Sequence, residues 1–518
     1  MQNIAQTERI TAEELVYYLM FSILLFMKGI GLEEAGTLFR LCLAVSGILF
    51  VLKIALGRYH WKELVVMGIF LLWGGGIFLH IGTFSILIYT MMLFGMKNIS
   101  VKKIMKLGAF VWSSYMLFTI SAAIFLERFG VRLVHEKLGL GPILRESLGY
   151  THPNVLHISF ILLMTFILYL TKKDNLWKVS IILMGINAYI FFYSLSYTGV
   201  LISGLMIVFF FYFKFRKKIT AIEKVGIQAT LPVCLVFSFL IPATVPMESF
   251  LFTIVNKLLN SRLWAIKVFL DEYGFSFWGK PIRISNFSLD NSFVYAVGWY
   301  GVLLFSILMI AYYFVIKIYL KENRREELAV ILSFFMAGLT EQFLFNASIK
   351  NISLLFLGEF FYRWMRGKGR EVSVLENWNR SFEIKADMLI FFKERGKSYL
   401  TLKAFIGYIV MSVVITGILQ ITDITMPFHQ EYEQVYVNER LCDCDGELVL
   451  FHEIEPQENT LTIGWQSEDF QFYRFDEENS NLIWFMKLRN RVSLSLYLSL
   501  ISVMIVLTIL PKKEKRNE

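Results

Sequence analysis

The sequence predicts an all-α polytopic membrane protein with about twelve core transmembrane helices, plus two C-terminal ones that flank a small external β-rich module. Three observations predict it. The 518-residue chain is 56% hydrophobic and only 18% charged, more apolar surface than a soluble fold can hide. Apolar runs near the roughly 20 residues a spanning helix needs recur about fourteen times. Short basic clusters follow every second run, a topology signal and not a continuous binding face.

The runs centre on 13–30, 36–56, 63–79, 81–96, 106–126, 154–171, 178–195, 198–214, 227–246, 292–316, 327–344, 349–364, 402–421 and 491–510. Gly74-Gly75-Gly76 and Gly82 mark a break or tight hairpin within 63–96. Clusters such as Lys53/Arg58/Lys62, Lys97/Lys102/Lys103 and Lys317/Lys321/Arg324/Arg325 follow even-numbered runs. The positive-inside rule then puts both termini in the cytoplasm. Met1 to Glu14 is polar and no small-residue cleavage site follows the first run, so that run is expected to stay as an anchor.

This topology divides the chain. Residues 1–370 form a transmembrane core with external loops 127–153 and 247–291. Residues 371–401 are cytoplasmic, and Trp378, Phe382, Ile384, Met388, Ile390, Phe391 and Phe392 among charges suggest a helix lying in the interface. A loose connector is the competing reading. Residues 402–510 are two spans enclosing an external module, 422–490, whose short alternating runs such as Thr460-Leu-Thr-Ile-Gly-Trp read as β-rich. Residues 511–518 are a cytoplasmic tail.

The net charge of +9 does not indicate nucleic acid, because the basic residues are scattered between runs and no P-loop, GxGxxG unit or zinc-finger spacing is present. Cys42 and Cys234 lie in apolar runs as packing residues, and the Cys442-Asp-Cys444 spacing suits neither an unstrained disulfide nor a metal site without further ligands.

Chemistry is expected in the polar external loops. The first holds Arg128, Arg132, His135, Lys137, Arg145, Glu146 and His152, with Gly139, Gly141, Pro142, Gly149 and Pro153 forcing turns. Arg grips phosphate through paired donors, and His moves a proton near neutral pH. Contact with lipid headgroups is the competing role for Arg145 and His152; His157 reads as a packed interface residue. In the second loop Phe250, Leu251, Ile254, Val255, Leu258 and Leu259 share a stripe, and Asn260-Ser261 reads as a cap before Arg262. An Arg in a first helical turn is electrostatically poor unless an anion joins it. Asp290 suits a general base, and equally a cap with Asn291 at the next span. Glu341, near Asn346 and Asn351, suits pairing with an external Arg or capping a helix end.

These pieces resemble the Wzy-type polysaccharide polymerases of Gram-positive bacteria, relatives of the O-antigen ligases. The resemblance rests on Arg145-x-Ser-Leu-Gly-Tyr-x-His-Pro-Asn154, on Arg262-Leu-Trp with Phe277-Trp-Gly279, and on Leu289-Asp-Asn-Ser-Phe-Val with Gly298-Trp-Tyr-Gly301, and it covers roughly residues 10–370. Two departures stand out: Tyr197 occupies the place of the family's frequent Arg in Ser-Arg-Thr, and Asp290-Asn291 stands where the ligases carry His-Asn.

The resemblance implies an O-antigen-polymerase-like glycosyltransferase of a bacterial plasma membrane, acting in capsule or exopolysaccharide synthesis. The substrate it implies is an undecaprenyl-pyrophosphate-linked oligosaccharide, with membrane lipids and a flippase or chain-length regulator as partners. In that scheme Arg145 and Arg262 stabilise the pyrophosphate leaving group, and His152 or Asp290 takes the acceptor proton. Asn154, Asn291, Arg283 and Glu341 bind or position the substrate, with no metal and no cofactor. A lipid-linked-oligosaccharide flippase or transporter is the non-enzymatic alternative. A polyprenyl-phosphate-sugar glycosyltransferase, with Glu33-Glu34 holding a metal, is the third.

Overall fold

The computed structural model describes residues 8–125, 132–136, 142–259, 261–284, 288–366, 371–384, 402–422, 435–437, 440–442, 460–463, 466–469, 488–489, 491–499 and 501–502. Arg128, Lys137, Gly139, Gly141, Asn260, Cys444 and the segments 385–401 and 503–518 lie outside them. The fold is mostly helical, and among the described residues eight helices are long and apolar enough to cross a membrane. The chain forms two compact units: Arg9–Ile120 with Gly149–Glu383, and Met1–Glu8 with Ser121–Leu148 and Ile384–Glu518. The sequence grouped 127–153 with the core; by contact, most of that loop falls with the C-terminal part.

The larger unit contains α1 (Ala12–Gly29), α2 (Thr37–Leu56), α3 (Trp61–Ile81), α4 (Ser85–Phe94) and most of α5 (Val101–Phe125). It continues through α6 (Pro153–Leu170), α7 (Leu176–Ser194), α8 (Tyr197–Phe215) and α9 (Ala221–Leu235) to α10 (Ile241–Thr244). Then come α11 (Phe250–Leu258), α12 (Arg262–Glu272), α13 (Ser292–Glu322), α14 (Arg325–Gly338) and α15 (Leu354–Met365). Helix α1 starts at a capping box, Thr11 with Glu14, and carries Lys28 in its last turn, so both ends complement the helix dipole.

Three expected spans are remodelled. The Gly74–Gly76 run stays helical, and α3 ends instead at Gly82, whose φ of 87° is left-handed. The expected span 81–96 shortens to the ten residues of α4. Spans 327–344 and 349–364 retreat to α14 and α15, leaving 339–353 as non-helical chain packed inside the protein, with Phe345 and Ile352 fully buried. Buried irregular backbone is tolerated in a membrane protein where protein surrounds it.

Helix α13 is broken too. Gly301 has φ 85° and ψ 162°, outside the helical region. The freed amides of Val302 and Leu303 donate to Ser276 O (3.0 Å) and Phe277 O (3.3 Å). Phe277-Trp-Gly279 and Gly298-Trp-Tyr-Gly301, distant in sequence, therefore meet backbone to backbone. A Cβ on Gly279 would lie 2.2 Å from Trp299 O, which explains why glycine stands there.

One end of the larger unit is basic. Lys53 is buried against Glu13 and donates to Lys97 O at 2.8 Å, while Lys97 pairs with Glu63. Arg324 joins Glu327 and Glu359 at the same end. The segment 371–384 is docked there, and its described part is not the interfacial helix expected from sequence. Its backbone is committed elsewhere: Glu371–Val372 pair with Tyr59–His60, and Leu375 N donates to Ala55 O at 2.8 Å.

In the smaller unit Pro142–Glu146 pairs antiparallel with Arg132–Glu136. Helix α16 (Leu402–Ile421) approaches the C-terminal helical segment through Thr416 and Ser495, whose hydroxyls lie 2.6 Å apart. Strands 435–437, 440–442, 460–463 and 466–469 form one antiparallel sheet.

Candidate functional site

The end of the larger unit opposite the basic one carries a buried ion cluster centred on Arg262. Arg262 opens α12 and is 7% exposed. Its Nη2 lies 3.3 Å from Glu341 Oε1 and 3.4 Å from Asp290 Oδ2. The anions that a first-turn arginine needs are thus two carboxylates from elsewhere in the chain. Nη1 reaches Leu259 O at 3.5 Å, and among the described residues Nε is buried with no acceptor.

The sequence expected Ser261 to cap α12. Ser261 does hold the cap position, but its φ is 63° and its side chain makes no cap bond, since side-chain capping needs extended backbone there. Asn256 does the work instead. Its Oδ1 accepts from Trp264 N at 2.8 Å, so α11 is stitched to the start of α12. Phe250 and Ile254 of the α11 stripe are exposed, as suits a helix lying at an interface.

Asp290 is held by Ser288, whose hydroxyl donates to Oδ1 at 2.7 Å. Asn291 has a structural role. Its Oδ1 accepts from Phe293 N and Val294 N, both at 3.0 Å, and its Nδ2 donates to Ser238 Oγ (3.0 Å) and Leu339 O (3.2 Å). Ser238 lies in a π-helical turn, Val236–Leu240, just past Pro232 in α9. Proline removes an intrahelical donor, and such bulges present groups a regular helix would bury in its own ladder.

Glu341 also anchors a polar chain running into the helices. Thr198 Oγ1 donates to Glu341 Oε1 at 2.9 Å, and Ser196 Oγ lies 3.4 Å from Thr198 Oγ1. Ser196 N donates to Ser194 Oγ at 3.4 Å, and Ser194 Oγ is 3.0 Å from His157 Nδ1. His157 Nε2 meets Asn187 Oδ1 at 2.8 Å. His157 is fully buried and packed against Gly199, where a Cβ would lie 2.3 Å from the ring.

The other candidates are placed differently. Arg145 is 4% exposed, sits opposite Leu133 in the hairpin, and belongs to the smaller unit, whereas Arg262 belongs to the larger. His152 caps α6, its Nδ1 accepting from Asn154 N at 3.1 Å. Arg283 is exposed, and its carbonyl accepts from Tyr273 Oη at 3.1 Å. The structure thus brings together Arg262, Asp290 and Glu341, with Asn291 supporting them.

Lys350 is a residue that the sequence reading passed over. It is 3% exposed in the non-helical stretch before α15, and its Nζ donates to Val155 O at 3.3 Å. Burial, and then the charge of Lys28, push its ammonium down to a pKa of about 7, against an opposing pull from Glu341. The signal was available: a lone lysine inside an expected span is costly and marks a site by default. Beside Lys28, Glu34 accepts from Thr83 Oγ1 at 3.3 Å, and burial raises its carboxyl despite that lysine's charge.

Fold and site together define a multi-pass helical membrane protein with a buried ion cluster at one end. The chain matches no family model, no curated protein and no solved structure.

Proposed function

We propose that the chain is a membrane glycosyltransferase that polymerises undecaprenyl-pyrophosphate-linked oligosaccharide repeat units on the outer face of a bacterial plasma membrane. The observation that carries this reading is Arg262: a buried guanidinium held by Asp290 and Glu341, whose Nε has no acceptor among the described residues. The basic opposite end supports an outward-facing cluster by the positive-inside rule.

In the proposed reaction an acceptor sugar hydroxyl attacks the anomeric carbon of the donor glycan. The glycosidic bond forms, the bond from that carbon to the pyrophosphate oxygen breaks, and the carrier leaves as the pyrophosphate anion. Arg262 stabilises the charge that develops on the leaving oxygen, which low dielectric makes effective. Asp290 takes the hydroxyl proton; at 23% side-chain exposure it is more accessible than Glu341 at 5%. Glu341 holds Arg262 in place. His152 is the weaker base candidate because one ring nitrogen is committed to capping α6.

The test is reconstitution of the purified chain with a lipid-linked repeat unit. The wild type is expected to yield a ladder of polymer. Arg262→Ala and Asp290→Asn should each lose it by roughly 100-fold or more while inserting normally. A full ladder from Arg262→Ala would overturn the reading.

The flippase alternative draws on one specific observation: helices α13 and α14–α15 are interrupted beside buried charges, as in carriers built from discontinuous helices. Movement of the lipid-linked unit across the bilayer without polymer would favour it.

A further inference from the structure

The segment that follows α15 takes no part in the chemistry above, and its surface is unlike that of a water-exposed connector. Its backbone is fixed to three parts of the larger unit. Val372 is registered with Tyr59, Leu375 N donates to Ala55 O at 2.8 Å, and Ala12 N donates to Arg380 O at 2.9 Å. That last bond, together with Glu13 N donating to Asn379 Oδ1 at 3.0 Å, gives acceptors to two first-turn amides of α1 that their own helix leaves unpaired.

The side chains are sorted the wrong way round for water. Glu376 turns to Arg58, and Asn379 turns to Glu13. Val374 and Trp378 point outward instead, 75% and 74% exposed. Large apolar groups displayed together call for a partner. The anchored backbone leaves these two no route inward.

Their level along the helices is fixed as well. Ala55 lies in the last turn of α2, one turn beyond the exposed Val51 and Leu52, and the exposed Trp61 opens α3. The Tyr59 and Tyr362 rings, 6.2 Å apart, bring the end of α15 and the exposed Trp364 to the same place. The outward apolar faces of α2 and α3, which spanning helices give to lipid, therefore run on into the segment. Tryptophans at the ends of spans mark the headgroup level of a bilayer.

We propose that residues 372–378 are a membrane-docking strap whose Val374 and Trp378 side chains enter the headgroup–acyl boundary of the leaflet at the basic end. Under the positive-inside reading that leaflet is the cytoplasmic one. The partner is lipid and the attraction is apolar. Residues 371–380 set Glu371 and Glu376 against Arg380, so the strap has no positive excess with which to select anionic headgroups. The interfacial role expected of this stretch is thus carried by anchored, non-helical chain.

The test uses the full-length chain in lipid nanodiscs, with its four native cysteines replaced by alanine. Spin labels are attached one at a time through Val374→Cys, Asn377→Cys and Trp378→Cys. Asn377, polar and exposed, is the reference for water. Collisions with oxygen, which concentrates in lipid, are compared with collisions with a water-soluble nickel chelate. Labels at 374 and 378 are expected to lie roughly 5–10 Å into the boundary, favouring oxygen, while the label at 377 favours nickel. Zwitterionic and anionic discs should give the same depths. Trp378→Asp should lower the unfolding temperature in discs, and Trp378→Phe should keep it.

The proposal is overturned if labels at 374 and 378 meet nickel as often as the label at 377, if insertion needs anionic lipid, or if Trp378→Asp unfolds like wild type. Poor access to both reagents marks a protein cover, such as a second copy, and overturns it too. None of these readouts depends on whether the chain makes polymer.

Discussion

Thr198 Oγ1 donates to the same Glu341 oxygen that receives Arg262 Nη2, at 2.9 and 3.3 Å. The hydroxyl occupies a second lone pair of a nearly buried carboxylate and so aims it at the arginine. Tyr197 is 39% exposed, while Ser196 is buried and Thr198 half-buried. The flanking hydroxyls, and not residue 197, face the ion cluster.

Thr198→Val should therefore slow polymer formation. A hydrogen bond to a charged group is worth about 1.5–3 kcal/mol, which corresponds to roughly 10- to 100-fold in rate if it is fully expressed in the transition state. Thr198→Ser keeps the donor and should stay close to wild type. Initial rates of ladder formation in proteoliposomes measure both, and an unimpaired valine variant would remove Thr198 from the site.

Asn291 should behave as a structural residue, not as a sugar ligand. Asn291→Ala loses the α13 cap and both donor bonds, so a loss of about 2–4 kcal/mol in stability is expected. Asn291→Asp keeps the cap acceptor but sets a buried carboxylate against Leu339 O, and should lose at least as much. Unfolding in detergent reads the loss. A normal unfolding temperature combined with a raised KM would assign Asn291 to substrate binding instead.

Glycine substitutions separate backbone crossings from ordinary helix positions. A Cβ on Gly301 would lie 2.4 Å from both Gly279 N and Phe277 O, at φ 85°. Gly301→Ala should yield little folded protein. At Gly185 in α7 a Cβ meets nothing within 4 Å, and Gly185→Ala should be neutral or stabilising by up to about 1 kcal/mol. Yield of monodisperse protein after detergent extraction compares the two, and equal yields would contradict the Gly279–Gly301 crossing.

Continuous helices were legible because a spanning helix announces itself by length and hydropathy alone, as with Thr37–Leu56 and Pro153–Leu170. What depends on tertiary partners was not. Phe343, Leu344 and Phe345 are as apolar as any helix, yet they lie in irregular chain that α13 satisfies: Ser292 Oγ accepts from Leu344 N at 3.2 Å, and Tyr300 Oη donates to Phe345 O at 2.6 Å. The site was half legible. Arg262 in a first helical turn called for an anion, and Asp290 and Glu341 were both candidates. Which groups answered depended on contacts between residues far apart in sequence, and so did the cap that Asn256 supplies from α11. Lys350 was legible as a lone lysine inside an expected span, but its burial in irregular chain was not.

Lys350 also gives the protein a pH dependence whose sign is fixed. Its folded pKa of about 7 lies below the ordinary lysine value, so between pH 7 and about 10 the unfolded chain binds more protons than the folded one. Stability rises with pH wherever the unfolded state binds more protons. The penalty from Lys350 is therefore fully present below pH 7 and is relieved as pH rises through that window. Lys28 deepens the penalty and Glu341 opposes it, so the relief depends on both keeping their charge. Unfolding of wild type and Lys350→Met should be compared at pH 6, 7, 8 and 9 without any anion. The stability advantage of the methionine variant should be constant below pH 7 and then narrow, by at most about 1.4 kcal/mol per pH unit. A difference between the two proteins that does not change from pH 6 to 9 would mean that Lys350 keeps an ordinary pKa, with its charge compensated or in water.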